Sequence, residues 1–159
     1  MLSLRFALPL AFACTAMCAE AQTGMDKYFQ TGGCFVREYT ADHLAKHPDQ
    51  LVKYISLSIS ALDAQPGLRV LDVIVNLRGK DEFFHGLAYC EPQGKGLACG
   101  MEGDAGAFVL EGAKQGALRL SVAAQGLSFE GQTDFITLDG RRGDDRVFLI
   151  PNVAAALCN

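Results

Sequence analysis

The chain has 159 residues, of which 50% are hydrophobic and 20% charged, and its formal charge is −4. That is the length of one ordinary domain with enough apolar content to fill a core, which excludes long disorder and collagen-like or solvated-coil character. No basic excess marks a nucleic-acid surface, so a nucleic-acid partner is not expected.

Residues 1–21 fall into three parts: a short basic start ending at Arg5, an apolar run from Phe6 to Met17, and small residues at Ala19 and Ala21. This is the layout of a secretory signal peptide cut after Ala21. The apolar run is shorter than the roughly 20 residues a bilayer span needs. No later stretch is long and uncharged enough to cross, so no membrane span is expected once the leader is cleaved. A lipid-attachment site at Cys18 would want a branched aliphatic residue three positions earlier, where Thr15 stands. Cleavage removes Arg5 and Glu20 together and leaves the charge unchanged. The mature chain is expected in the periplasm or outside the cell. Residues 22–33 are polar and Gly-rich and read as a flexible N-terminal arm, followed by a single β domain over 34–159.

"CFVREY" reads as the first strand, after which Thr40 caps a short helix near residues 41–47 that Pro48 ends. In "LVKYISLSISAL" the residues Leu51, Ile55, Leu57 and Ile59 alternate with Tyr54, Ser56, Ser58 and Ser60. A two-residue period is that of a half-buried strand, here with one dry face and one hydroxyl-rich face. Pro66 and Gly67 predict a turn. Beyond it, "RVLDVIVNLR" places Leu71, Val73, Val75 and Leu77 on one side and Asp72, Asn76 and Arg78 on the other. Further strands are expected at "FFHGLAYC", "LACGM", "AFVLEG", "ALRLSVA", "LSFEG", "DFITL" and "RVFLI", separated by glycine-rich breakers. The pattern predicts an all-β antiparallel meander closing into a small barrel of about eight strands, with a two-sheet sandwich as the alternative. Tight connections favour the barrel, because a Greek key needs long crossovers.

Of the six cysteines, Cys14 and Cys18 leave with the leader, and Cys34, Cys90, Cys99 and Cys158 remain. An even number in an exported chain predicts disulfides. Pro92, Gly94 and Gly96 allow a turn at residues 93–96 that faces Cys90 against Cys99 across a hairpin. The remaining pair, Cys34 with Cys158, would tie the first strand to the chain's end and stabilise by about 4 kcal/mol through loop-closure entropy. No C-x-x-C pair supports a zinc site instead.

His43 and His47, four apart on the expected helix, share a face as two metal ligands would, but Leu44 follows His43 where a hydrolytic H-E-x-x-H helix carries Glu. Solvent-facing residues of a helix C-terminus are the plainer reading, and His85 could join them only through tertiary folding. Glu102 and Asp104, and then Asp139, Asp144 and Asp145, sit in glycine-rich loops without the spacing of a calcium loop, and Arg141, Arg142 and Arg146 compete for the last three. No metal is therefore assigned; His43, His47, Glu102 and Asp104 are the low-ranking candidates. No G-x-S-x-G elbow and no phosphate-binding loop is present, so no catalytic residue and no cofactor is assigned. Among the aromatic residues, Tyr28, Phe29, Tyr39 and Tyr54 are the better contact candidates, and Tyr39, His43, His47 and Tyr54 make up the expected binding surface.

The run "CFVREYTADHLAKHPDQLV", the segment "LACGMEGDAGAFVL" and the exported four-cysteine layout resemble a group of small secreted or periplasmic alphaproteobacterial proteins, a resemblance that implies no activity or site. The layout is also similar to periplasmic inhibitors built on eight-stranded barrels, such as inhibitors of lysozyme or of secreted metalloproteases, although the S-G-x-x-Y segment of the lysozyme-inhibitor group is absent. The leading expectation is an exported, non-catalytic binding or inhibitory module for an unknown protein or small ligand. A small periplasmic hydrolase or metal-dependent enzyme using His43, His47 and the acidic loops is the alternative, and an envelope structural protein the third reading.

Overall fold

The computed structural model describes residues 24–30, 32–63 and 67–158. The expected leader, its cleavage site and Pro66 lie outside them. Two short helices and ten strands follow one another: α1 (Asp26–Phe29), β1 (Cys34–Glu38), α2 (Ala41–Lys46), β2 (Val52–Ile59), β3 (Arg69–Leu77), β4 (Phe83–Gln93), β5 (Gly96–Met101), β6 (Gly106–Gly112), β7 (Leu118–Glu130), β8 (Phe135–Leu138), β9 (Val147–Ile150) and β10 (Asn152–Val153). The protein is mostly antiparallel β, a meander in which sequential neighbours pair from β1 to β8. Three pairings fall off this path: β9 lies against β7, Leu118 opposite Ile150; β10 against β1, Cys34 opposite Val153; and β4 against β7, His85 opposite Glu130.

Strand alternation builds one core. Leu71, Val73, Val75 and Leu77 point inward as their spacing requires, and Phe35, Phe84, Phe108, Phe129 and Phe148 meet them, each at most 1% exposed. Leu51 departs from its expected inward place. It is 50% exposed while Val52 is fully buried, because a bulge between Val52 and Tyr54 adds one residue and shifts the alternation. Ser56 and Ser60, expected on a wet face, are also buried.

Two further expectations are corrected. Part of the supposed arm forms α1, and Phe29 at its end and Met25 just before it are buried in the core. The Phe29 ring meets Phe35 edge-on at 5.8 Å, and Arg69 lies over it at 5.3 Å. A segment with two large apolar residues close to the sheet gains more by covering the core than by staying solvated. The segments "ALRLSVA" and "LSFEG" are one 13-residue strand, β7. Gly126, read as a breaker, supports a bulge inside it, at φ +85°, where a Cβ would come 2.3 Å from the Leu138 carbonyl oxygen. The same residue type that starts a turn can instead kink a continuing strand.

The cysteines pair Cys34 with Cys158 and Cys90 with Cys99. Cys90 stands opposite Cys99 in the β4–β5 hairpin, whose tight loop uses Gly94 at φ +59°.

Candidate functional site

The sequence-predicted surface divides. Thr40 accepts the His43 backbone N–H at 3.2 Å, starting α2 where expected. One turn of helix then stacks His43 on Tyr39 (ring centroids 4.8 Å) and His47 on His43 (4.3 Å). Tyr54 packs separately, its ring edge-on to Phe83 at 5.5 Å.

One ring nitrogen of each histidine is already engaged. His43 Nε2 lies 3.0 Å from Gln50 Oε1, and His47 Nδ1 lies 3.4 Å from Asp144 Oδ2. Gln50, almost wholly buried, donates Nε2 to the Val52 carbonyl at 2.9 Å. Arg78 donates to the carbonyls of Leu44 (2.9 Å), His47 (2.7 Å) and Gln50 (2.8 Å) and so closes the C-terminus of α2. Asp145, only 4% exposed, accepts the backbone N–H of Leu51 at 2.6 Å and of Val52 at 3.2 Å. Burial raises its carboxyl above the ordinary value, with the two amide bonds opposing. Burial likewise raises the Tyr39 phenol, opposed by Arg37, whose guanidinium lies 5.0 Å over the ring. This corner is a brace that seats α2 on the sheet.

The expected acidic loops go to different places. Asp144 and Asp145 reach α2 and the start of β2. Glu102 and Asp104 occupy a short 3-10 turn after β5, beside His85 instead of His43 and His47. Among the described residues, no three His, Cys, Asp or Glu side chains converge closely enough to hold a metal ion.

A groove of about 790 Å³ lies on the outer face of β2, β3 and β4. Ser58, Asp72, Ile74 and Leu87 line it, with Glu102 and Glu130 beside them and the Ala155–Cys158 end of the chain also along it. Cross-strand register explains the grouping: Ser58 is opposite Asp72, Asp72 opposite Leu87, Ile74 opposite His85, and His85 opposite Glu130. A second depression of about 410 Å³ shares His85, Leu87, Glu102 and Glu130 and adds Asp104, Ser128 and Phe135. Tyr89 donates its hydroxyl to Glu102 at 3.3 Å, and partial burial followed by the Glu102 charge raises that phenol.

Further along, the Glu82 carboxylate accepts the N–H of Gln132 at 2.6 Å and the Thr133 hydroxyl at 2.7 Å, while Lys80 pairs with Asp134. These bonds lock the β3–β4 turn to the β7–β8 turn and thereby fix Gly131 and Gln132 along the groove. The sequence held one signal for this site: Ile74 and Leu87 are apolar at positions whose strand parity points them away from the core. An apolar residue out of phase marks a surface that is partly covered or used.

Together, fold and site define a disulfide-braced antiparallel β protein with an acidic outer groove. No protein-family model, no curated protein and no solved structure matches this chain.

Proposed function

We propose that the chain is an exported, non-catalytic binding or inhibitory module that recognises a protein or small ligand on the outer face of a closed eight-stranded barrel. The observation that carries the binding role is the groove over β2–β4: a concave surface of ligand scale, with mixed polar and apolar lining, outside a core packed with aromatic rings. Two disulfides support an oxidising compartment. Among the described residues no helix is long and apolar enough to cross a membrane.

Closure is supported by the strip that runs from β9 to β10. It pairs with β7 through Leu118–Ser121 and with β1 through Cys34 and Phe35, and the Pro151 carbonyl between them accepts the Val36 N–H at 3.1 Å. Counting β9 and β10 as one bent strand beside β1–β7 gives a ring of eight. The four-cysteine layout supports kinship with the small secreted proteins that the sequence resembles. The hydrolase reading gains no such support at α2, where Gln50 and Asp144 engage the two histidines.

The test is residue-resolved NMR of the mature protein titrated with fractionated periplasmic extract. Saturable amide shifts at Ser58, Asp72, Ile74 and Leu87, lost in Ile74→Lys, are expected. Shifts that avoid this face, or a hydrolytic activity abolished by His47→Ala, would overturn the reading. Export is tested by the N-terminus of the secreted product, which is expected to be Gln22.

A further inference from the structure

We propose that the groove takes an extended, lysine- or arginine-bearing peptide segment of a partner protein; this rests on the binding role above and adds the chemical class of the ligand. Charge complementarity carries it. Asp72, Glu102 and Glu130 line the groove and Asp104 the adjoining depression, while no lysine or arginine lines either one.

Five carboxylates elsewhere are satisfied locally. Asp63 pairs with Arg69, Glu111 with Arg119, Asp134 with Lys80 and Asp144 with His47, and Asp145 binds two backbone amides. Among the described residues the four groove carboxylates enter no ion pair. A concave surface carrying charge of one sign over a low-dielectric wall focuses its field and draws in the opposite charge.

The lining also selects for peptide over a bare cation. A metal ion needs several ligands converging on one point, whereas Asp72, Glu130 and the Glu102–Asp104 turn belong to different elements and, among the described residues, no three such side chains converge. Ile74 and Leu87 lie between them, and Phe135, 60% exposed, lines the far depression. A chain alternating basic and apolar side chains matches that spacing of charge and grease. Ser58, Gln132 and Ser128 supply hydrogen-bonding groups along the way.

The experiment uses three labelled hexapeptides of equal length: one alternating Lys or Arg with Leu, one with Glu at the basic positions, and one with Gln there. Binding to the oxidised mature protein is followed by fluorescence anisotropy and amide shifts at low and at physiological salt. The basic peptide is expected to bind saturably at the groove, more weakly as salt rises, and about tenfold more weakly to Asp72→Asn/Glu130→Gln. That double variant removes two carboxylates that have no ion-pair partner, so its thermal midpoint is expected to be unchanged or raised, which separates lost binding from lost folding. Glu91→Gln, on the exposed β4–β5 hairpin, is expected to bind as the parent does. Equal binding to parent and double variant, or no saturable binding of the basic peptide, overturns the proposal. If the Glu or Gln peptide occupies the groove instead, the charge assignment falls while the binding role stands. If none of the three shifts the groove amides and the extract titration is also silent there, both fall.

Discussion

Asp145 links the loop after β8 to the start of β2, and it does so from a buried position. Asp145→Ala would leave two backbone donors without their acceptor, and a loss of about 2–4 kcal/mol is expected in urea denaturation. Its pH behaviour has a definite sign. Because burial raises its folded-state pKa above the unfolded value, the native state favours the protonated carboxyl. The corresponding stability is fully present below the unfolded value and is lost as pH rises through the folded one. Glu82 and Asp134 act oppositely: hydrogen bonds from Thr133 and from Lys80 lower them, so their contribution is present above the unfolded value and lost as pH falls through the folded one. Denaturant unfolding of Asp145→Asn between pH 3 and 7 is therefore expected to show a smaller decline on the alkaline side than the parent, with the acid-side loss retained.

Among the elements, the two disulfides close loops of very different length, with sequence separations of 124 and 9. Loop-closure entropy assigns about 4–5 kcal/mol to Cys34–Cys158 and about 2–3 to Cys90–Cys99. Paired Cys→Ala variants compared in guanidinium are expected to rank in that order. Strand β7 turns on one residue. Gly126→Ala would force a side chain into left-handed backbone and against the Leu138 carbonyl, with an expected loss of more than about 1 kcal/mol and a lowered thermal midpoint. The Thr40 cap and the Cys90–Cys99 hairpin were legible as local features, because a capping hydroxyl and a tight turn involve neighbours in the chain. The fusion of two expected strands into β7 was not legible, since a glycine that kinks a strand and one that reverses it look alike until the partner strand is known.

For the molecule as a whole, protection should follow the sheet. Amides of Leu71, Val73 and Phe84, buried at paired positions of β3 and β4, are expected to exchange most slowly, and those of 135–138, on a short strand with an exposed Phe135, among the fastest. Uniform exchange across these strands would contradict a core centred there. The candidate surface shows where sequence reading stops. His43 and His47 were recognisable as a pair because a helix brings residues four apart onto one face, and Tyr39 only as an aromatic residue next to that helix. Their employment as a brace depended on Gln50, Asp144 and Arg78, which reach them from other segments. The groove residues lie on four strands, β2, β3, β4 and β7, and on the turns beside them, and no interval along the chain announces their meeting.

Sequence alone determined the β class, the helix cap, the Cys90–Cys99 hairpin pairing and the inward face of β3, because each follows from local backbone preference, two-residue alternation or the geometry of a tight hairpin; Cys34–Cys158 followed only as the pair left over. Tertiary structure decided the packing of α1, the bulges in β2 and β7, the roles of the two histidines and the gathering of Asp72, Glu102 and Glu130 around one groove. Those depend on strand register and on contacts between residues far apart in the chain, which side-chain periodicity does not encode.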